Sequence, residues 1–208
     1  MARSHSVTPS GDGPQPPSTA HHVARWISIV GHPFVLIVAY ALAGAAAVLP
    51  LRDALTVAAV VLLGAIVPLL VYLGREVRSG GGNFDVSARE RRAPIYGFAL
   101  ILGVGLLGYF YGSGAPKQLL VGLGFGLLLV VVAALINLRL KVSVHSAFAA
   151  FVGIGFLPLS RWAAAVLIAF ACLVGGSRLV LRRHRPAEVL SGLLLGGAVA
   201  SIMLAVAG

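Results

Sequence analysis

The sequence predicts an all-α membrane protein, a polytopic bundle of about six to seven transmembrane helices. Of the 208 residues, 59% are hydrophobic and only 11% are charged, which lies outside the usual range for a soluble domain. After residue 25 the chain repeats apolar runs of roughly 17 to 24 residues, and at ~1.5 Å per residue each can cross a ~30 Å hydrocarbon layer. We therefore expect the bilayer to be the solvent for most of the chain.

Two regions differ in composition. Residues 1–24 are polar and rich in Pro, Ser and Gly, which predicts a disordered tail without the apolar core of a signal peptide. Residues 25–208 form one transmembrane domain. Its predicted spans are 26–49, 54–74, 94–112, 118–138, 144–158, 162–181 and 187–207.

Helix breakers support these boundaries. Pro50 ends the first span, the SGGGN run at 79–83 lies in the second loop, and Pro158 ends the fifth span. His32 and Pro33 fall inside the first span, where a proline predicts a kink.

Positive charge is distributed unequally between the two ends of these spans. Of the 16 Lys and Arg residues, all but Arg52, Lys117 and Arg161 fall on the side of the amino-terminal tail. The positive-inside rule predicts that this side faces the cytoplasm. The net charge of +10 does not indicate nucleic-acid binding, because the arginines lie between apolar runs and form no continuous basic face.

Three polar segments on the tail side could carry chemistry. They are DVSARERRAP at 85–94, KVSVHSA at 141–147 and SRLVLRRHRPAEVLSG at 177–192. Ionisable groups at the edge of a bilayer are costly to place, so they are candidates for a functional site. Two crossings separate each segment from the next, and the count of spans therefore puts all three on one side of the membrane.

Together the three segments resemble the type 2 phosphatidic acid phosphatase superfamily of membrane lipid phosphatases, over roughly residues 85–200. The motifs of that family are K-x6-R-P, P-S-G-H and S-R-x5-H-x3-D. The third segment matches with Ser177, Arg178 and His184 at the family spacing, and Glu188 stands where the family has Asp.

The second motif is met by Ser143 and His145, while Val142 and Val144 replace its proline and glycine. This segment opens the fifth span.

The first motif is the most divergent. Arg92 aligns with the arginine of the motif, Ala93 replaces the proline, and Asp85 occupies the position of the lysine. A carboxylate repels phosphate, so Asp85 is interpreted as an orienting partner of Arg89 or Arg92. Arg89 or Lys141 could then supply the missing cation.

The resemblance implies a role for each matching residue. His184 would attack phosphorus, Glu188 would hold its Nδ1–H, and His145 would protonate the leaving oxygen and then activate water. Neither a metal nor a cofactor is expected in this scheme. The phosphate ligands would be Arg92, Arg178, Ser143 and Ser177, with Arg89 and Lys141 as further cations.

The expected function is a metal-independent lipid phosphatase in the inner membrane of a bacterium, with its site on the cytoplasmic face. Its substrate would be a phosphomonoester or diphosphate of a membrane lipid, of the phosphatidate, phosphatidylglycerophosphate or polyprenyl phosphate type. Two alternatives stay open: a lipid phosphotransferase, and a non-catalytic lipid-phosphate binder or transporter. The bilayer and the lipid substrate are the expected partners, with no nucleic acid, and nothing in the residues indicates an oligomeric state.

Overall fold

A computed structural model describes residues 18–78 and 92–207, and within those ranges the chain is helical with no β-strand. The prediction of an all-α bundle is confirmed. The helices are α1 (Thr19–Val30), α2 (Pro33–Ala46), α3 (Leu51–Val61), a π-helical turn (Leu62–Ile66), α4 (Val67–Glu76), α5 (Arg92–Gly112), α6 (Lys117–Asn137), α7 (Val144–Gly155), α8 (Arg161–Val180) and α9 (Pro186–Ala207).

The first helix begins earlier than predicted. The side chain of Ser18 accepts a hydrogen bond from the amide of His21 and caps α1, so the helix starts at Thr19. The predicted disordered tail is therefore wrong for residues 19–24, where the N-cap and an amphipathic pattern outweigh the local polarity.

The first span is broken at Gly31 and His32, as the His-Pro pair predicted. The axes of α1 and α2 differ by 45°. Pro33 is the first residue of α2, a position where its missing N–H costs nothing, and His32 caps the new helix.

The second span runs without interruption from Leu51 to Glu76, through the π-helical turn. Val67 donates its amide hydrogen bond to the carbonyl of Leu62, five residues back, just before Pro68. The proline cannot donate to a carbonyl in the preceding turn, and the widened turn is a usual response to such a gap.

Five helices of the described residues are long and apolar enough to cross a membrane, and the bent α1–α2 pair makes a sixth. The protein is therefore embedded in a membrane. α7 differs from its predicted span of 144–158, because it ends at Gly155 and has only 12 residues, about 18 Å at 1.5 Å per residue. It packs against α2, α8 and α9, and most of its side chains are buried.

Two glycines of α9 allow its close approach to α7. A Cβ atom at Gly192 would collide with the carbonyl oxygen of Ser143, and one at Gly196 would collide with that of Ala147. Small residues let membrane helices pack backbone to backbone in this way. The amino-terminal ends of α7 and α9 consequently lie side by side, and these ends carry the second and third polar segments.

Candidate active site

The connection between α8 and α9 is fixed by its own backbone. The amide of Arg183 donates to the carbonyl of Arg178 at 3.0 Å, and that of Arg182 donates to Leu179 at 2.9 Å. These two bonds form a Schellman motif, with Arg182 in the left-handed conformation at φ 53°. The amide of His184 also points to the Arg178 carbonyl, at 3.4 Å, so the loop that carries His184 has a defined path.

His184 and Glu188 form the central contact of the site. Nδ1 of His184 lies 2.7 Å from Oε2 of Glu188, and the same oxygen accepts the amide of Arg185 at 3.3 Å. Glu188 is the third residue of α9, so the second bond is the carboxylate half of a capping box. Sequence spacing predicted the pair on one helical face, whereas Glu188 reaches back from the first turn of α9 to a residue that precedes the helix.

The second segment joins this pair. The ammonium group of Lys141 lies 3.8 Å from Oε2 of Glu188 and donates to the carbonyl of Arg183 at 3.1 Å. The amide of Ser143 donates to the carbonyl of Glu188 at 3.1 Å. The second and third segments, which the sequence predicts to lie on one side of the membrane, are therefore in contact with each other.

The hydroxyl of Ser143 caps α7. It accepts the amide of Ser146 at 3.4 Å and the hydroxyl of Ser146 at 3.0 Å, and both side chains are fully buried. This cap places His145 on the first turn of α7. Serine in this motif position is therefore explained by helix capping alone, and its predicted contact with phosphate stays a prediction.

The other two residues of the third motif are held inside the bundle. The guanidinium of Arg178 donates to the hydroxyl of Ser28 at 2.7 Å, and Arg178 is only 2% exposed. The hydroxyl of Ser177 donates to the carbonyl of Val174 at 2.7 Å, so its proton is used in a hydrogen bond within α8. Ser177 would have to exchange that bond before it could donate to a phosphate oxygen.

Two residues of the site were not among the predicted site residues: Ser28, which lies in α1, and His32, which follows it. Ser28 contacts Arg178, and the ring of His32 lies edge-on to that of His145 with 4.8 Å between centroids and 82° between planes. Only His32 gave a signal in the sequence, because an ionisable residue inside an apolar run is a candidate for a functional role. Ser28 gave none, since serine is common in membrane helices.

The first segment lies almost wholly beyond the described residues. Asp85 and Arg89 are outside them, and of Arg92 only the main chain is described, as the first residue of α5. α5 packs against α6 and against the π-helical turn and α4. The roles predicted for these three residues stay predictions.

Lys141 and Glu188 are more exposed than the imidazole with which they are grouped. Their side chains are 25% and 18% exposed, whereas the side chain of His184 is 3% exposed. The side chain of His184 is therefore covered, whereas Lys141 and Glu188 are accessible to water. Because the carboxylate is held by His184, Arg185 and Lys141, it can orient a histidine and balance a positive charge on it.

Comparison of the whole chain with models of known protein families, with curated proteins and with solved structures found no match. Among the described residues, no three His, Cys, Asp or Glu side chains are grouped closely enough to hold a metal ion.

Proposed function

We propose that the protein is a membrane lipid phosphatase that forms a phosphohistidine at His184. The observation that carries the proposal is the 2.7 Å contact between Nδ1 of His184 and the carboxylate of Glu188. A carboxylate at Nδ1 keeps the proton on that nitrogen, so the lone pair of the neutral ring is on Nε2. An oriented imidazole with its proton on Nδ1 is a nucleophile for phosphorus through Nε2.

The reaction proceeds in two displacements. Nε2 of His184 forms a bond to phosphorus while the bond between phosphorus and the ester oxygen breaks, and His145 transfers its proton to that oxygen. His145 then takes a proton from water, the resulting hydroxide bonds to phosphorus, and the P–N bond breaks. Inorganic phosphate leaves, and both histidines return to their starting protonation states.

Glu188 supports both displacements through charge. The ring of His184 becomes positively charged when Nε2 is phosphorylated, and the adjacent carboxylate stabilises that charge. Lys141 lies near the same carboxylate oxygen and is partly exposed. We assign Lys141 the first contact with the substrate phosphate, in the role that the divergent first segment leaves open.

A large apolar cavity supports a lipid as substrate. It has a volume of about 480 Å³ and is lined by residues of α2 to α7, including the π-helical turn, and of α9. None of the proposed catalytic residues lines the cavity, but Phe34 does. The amide of Phe34 donates a hydrogen bond to His32, and the ring of His32 contacts that of His145. Hydrocarbon chains suit a cavity lined almost entirely by apolar side chains.

The polar site is closed in this conformation. Ser143, Ser177 and Arg178 are at most 3% exposed and bonded within the protein. Binding of a lipid headgroup therefore requires the site to open, and turnover includes that step. The site lies on the arginine-rich side of the membrane, where the positive-inside rule predicts the cytoplasm, and a bacterial inner membrane is the proposed location.

Trapping of the intermediate tests the proposal. Purified protein in detergent is mixed with lipid substrates that carry a ³²P label (phosphatidate, phosphatidylglycerophosphate and an undecaprenyl-type diphosphate), then quenched in alkali, where phosphohistidine survives. We expect label on the wild-type chain and none on His184→Ala, with His21→Ala, an exposed histidine of α1, as matched control. Absence of both label and released phosphate with every lipid overturns the proposal and favours a non-catalytic binder.

Two further measurements on the same samples separate the alternatives. Addition of an acceptor alcohol diverts label into a new phosphate ester if the enzyme is a phosphotransferase, and leaves inorganic phosphate as the only product if it is a phosphatase. A chelator should leave the rate unchanged, and loss of activity on chelation would contradict the metal-free mechanism.

A further inference from the structure

The break between α1 and α2 contributes two side chains to the site. Ser28, on the last turn of α1, accepts the hydrogen bond of Arg178. Gly31 lies against the side chain of Val174, so close that a Cβ atom at Gly31 would overlap it. The break is therefore held against α8 at Gly31, and this packing defines the position of the next residue, His32.

His32 makes two contacts from that place. Its Nδ1 accepts the amide of Phe34 at 3.3 Å and caps α2, so the neutral ring carries its proton on Nε2. Its ring stands nearly perpendicular to the ring of His145 at 4.8 Å between centroids. Perpendicular contact at this distance is the favoured arrangement of two aromatic rings.

We propose that His32 is a positioning residue for His145, a role that rests on the proposed phosphatase function. Capping alone does not account for a histidine here, because Ser and Asn are preferred N-caps and carry no ionisable group into an apolar helix. The ring supplies what those residues lack, which is a rigid surface against which the imidazole of His145 is oriented. A general acid misplaced by about 1 Å loses much of its effect.

The substitution His32→Asn separates the two contacts, because asparagine keeps an acceptor for the Phe34 amide and removes the ring. His32→Ala removes both contacts. We expect His32→Asn to retain the wild-type thermal midpoint while kcat/KM for an alkyl lipid phosphate falls about tenfold, a fraction of the 10²–10⁴ that a general acid contributes. His22→Asn, an exposed histidine of α1, is the matched control.

The leaving group distinguishes positioning from a structural defect. The value of kcat/KM reports the step that breaks the ester bond. Because p-nitrophenolate leaves without protonation, kcat/KM for p-nitrophenyl phosphate should change less than twofold in His32→Asn. His145→Asn should likewise lower kcat/KM for the alkyl lipid phosphate much more than kcat/KM for p-nitrophenyl phosphate. The double variant should have a kcat/KM for the alkyl lipid phosphate no lower than that of His145→Asn alone, as expected for residues that act as a unit. Equal losses with both substrates, or additive losses in the double variant, would overturn the inference.

A second arm does not depend on activity. Histidine ring signals of the ¹³C-labelled protein in detergent are recorded by NMR, and the signal of His145 is assigned by its disappearance in His145→Asn. We expect that signal to shift in His32→Asn and to stay in place in His22→Asn. An unchanged His145 signal overturns the role of His32, whereas failure of wild-type protein to release phosphate from any lipid overturns the proposed function, so the two failures can be told apart.

Discussion

Glu188 accepts a hydrogen bond at 2.7 Å from Nδ1 of His184, and its carboxylate also receives the amide that begins α9. One side chain thus orients the proposed nucleophile and caps α9, the helix that follows it. Because the two functions share one oxygen atom, substitution of Glu188 should affect both activity and stability, and the choice of substitute decides which.

Glu188→Gln should lower kcat by a factor on the order of 10³, since an amide can neither fix the tautomer of His184 nor balance its positive charge. Glutamine preserves the capping box, so the thermal midpoint should change little. Glu188→Ala should lower kcat similarly and also destabilise α9. Initial rates and thermal unfolding in detergent check both statements, and activity of Glu188→Gln within threefold of wild type would contradict the assigned role.

Lys141→Met should raise KM for a lipid phosphate about tenfold or more, because it removes a charge-assisted contact worth roughly 1.5–3 kcal/mol. Lys141→Arg keeps the charge and should retain most of the affinity. The comparison is made on kcat and KM measured separately. An unchanged KM in Lys141→Met would show that another residue receives the phosphate.

Ser28→Ala should destabilise the protein by about 1.5–3 kcal/mol, because it removes an acceptor from a buried guanidinium. Ser191→Ala is the matched control: Ser191 is exposed and its hydroxyl bonds only to Ala187 within α9. Ser28→Thr, which keeps the hydroxyl, should recover most of the loss. The test is the thermal midpoint of each of the three variants. Equal decreases of the midpoint in Ser28→Ala and Ser191→Ala would contradict the importance of the Arg178 contact.

Gly196→Ala should impair folding, because the added Cβ would collide with the main-chain carbonyl of Ala147 and force α9 away from α7. Gly197→Ala is the control on the same turn, since a Cβ there meets only the end of the Ile154 side chain at 3.4 Å. We expect a lower yield of folded protein and a lower thermal midpoint for Gly196→Ala alone. The measurement is the monodisperse fraction in size-exclusion chromatography before and after heating.

Arg182→Gly should raise the free energy of unfolding by about 1 kcal/mol, because glycine adopts the left-handed conformation at φ 53° without steric cost. Arg182→Ala removes the same charge but keeps the strain, so it should not stabilise. If both substitutions had equal effects, the charge of Arg182 rather than its backbone would be the feature that matters.

Hydropathy predicted most of the spans to within a few residues, because a membrane helix is defined by local composition and length. The pairing of His184 with Glu188 was predicted from their spacing and the family resemblance. Counting crossings predicted that Ser143 and the third segment lie on one side of the membrane, but not that they touch. Ser28 and the ring contact of His32 could not be predicted. They depend on how Gly31 packs against α8, which is a contact between residues far apart in the chain.

The helical part of α7 extends about 18 Å, less than a hydrocarbon thickness of ~30 Å, so the non-helical chain on either side of it has to complete the crossing. Most of its side chains are buried against α2, α8 and α9. Because α8 and α9 follow α7 in synthesis, α7 gains most of its packing partners only after they have been made. Assembly of the site is thus tied to the synthesis of α9, and a nascent chain that stops after α7 would carry His145 without the helix against which Ser143 packs.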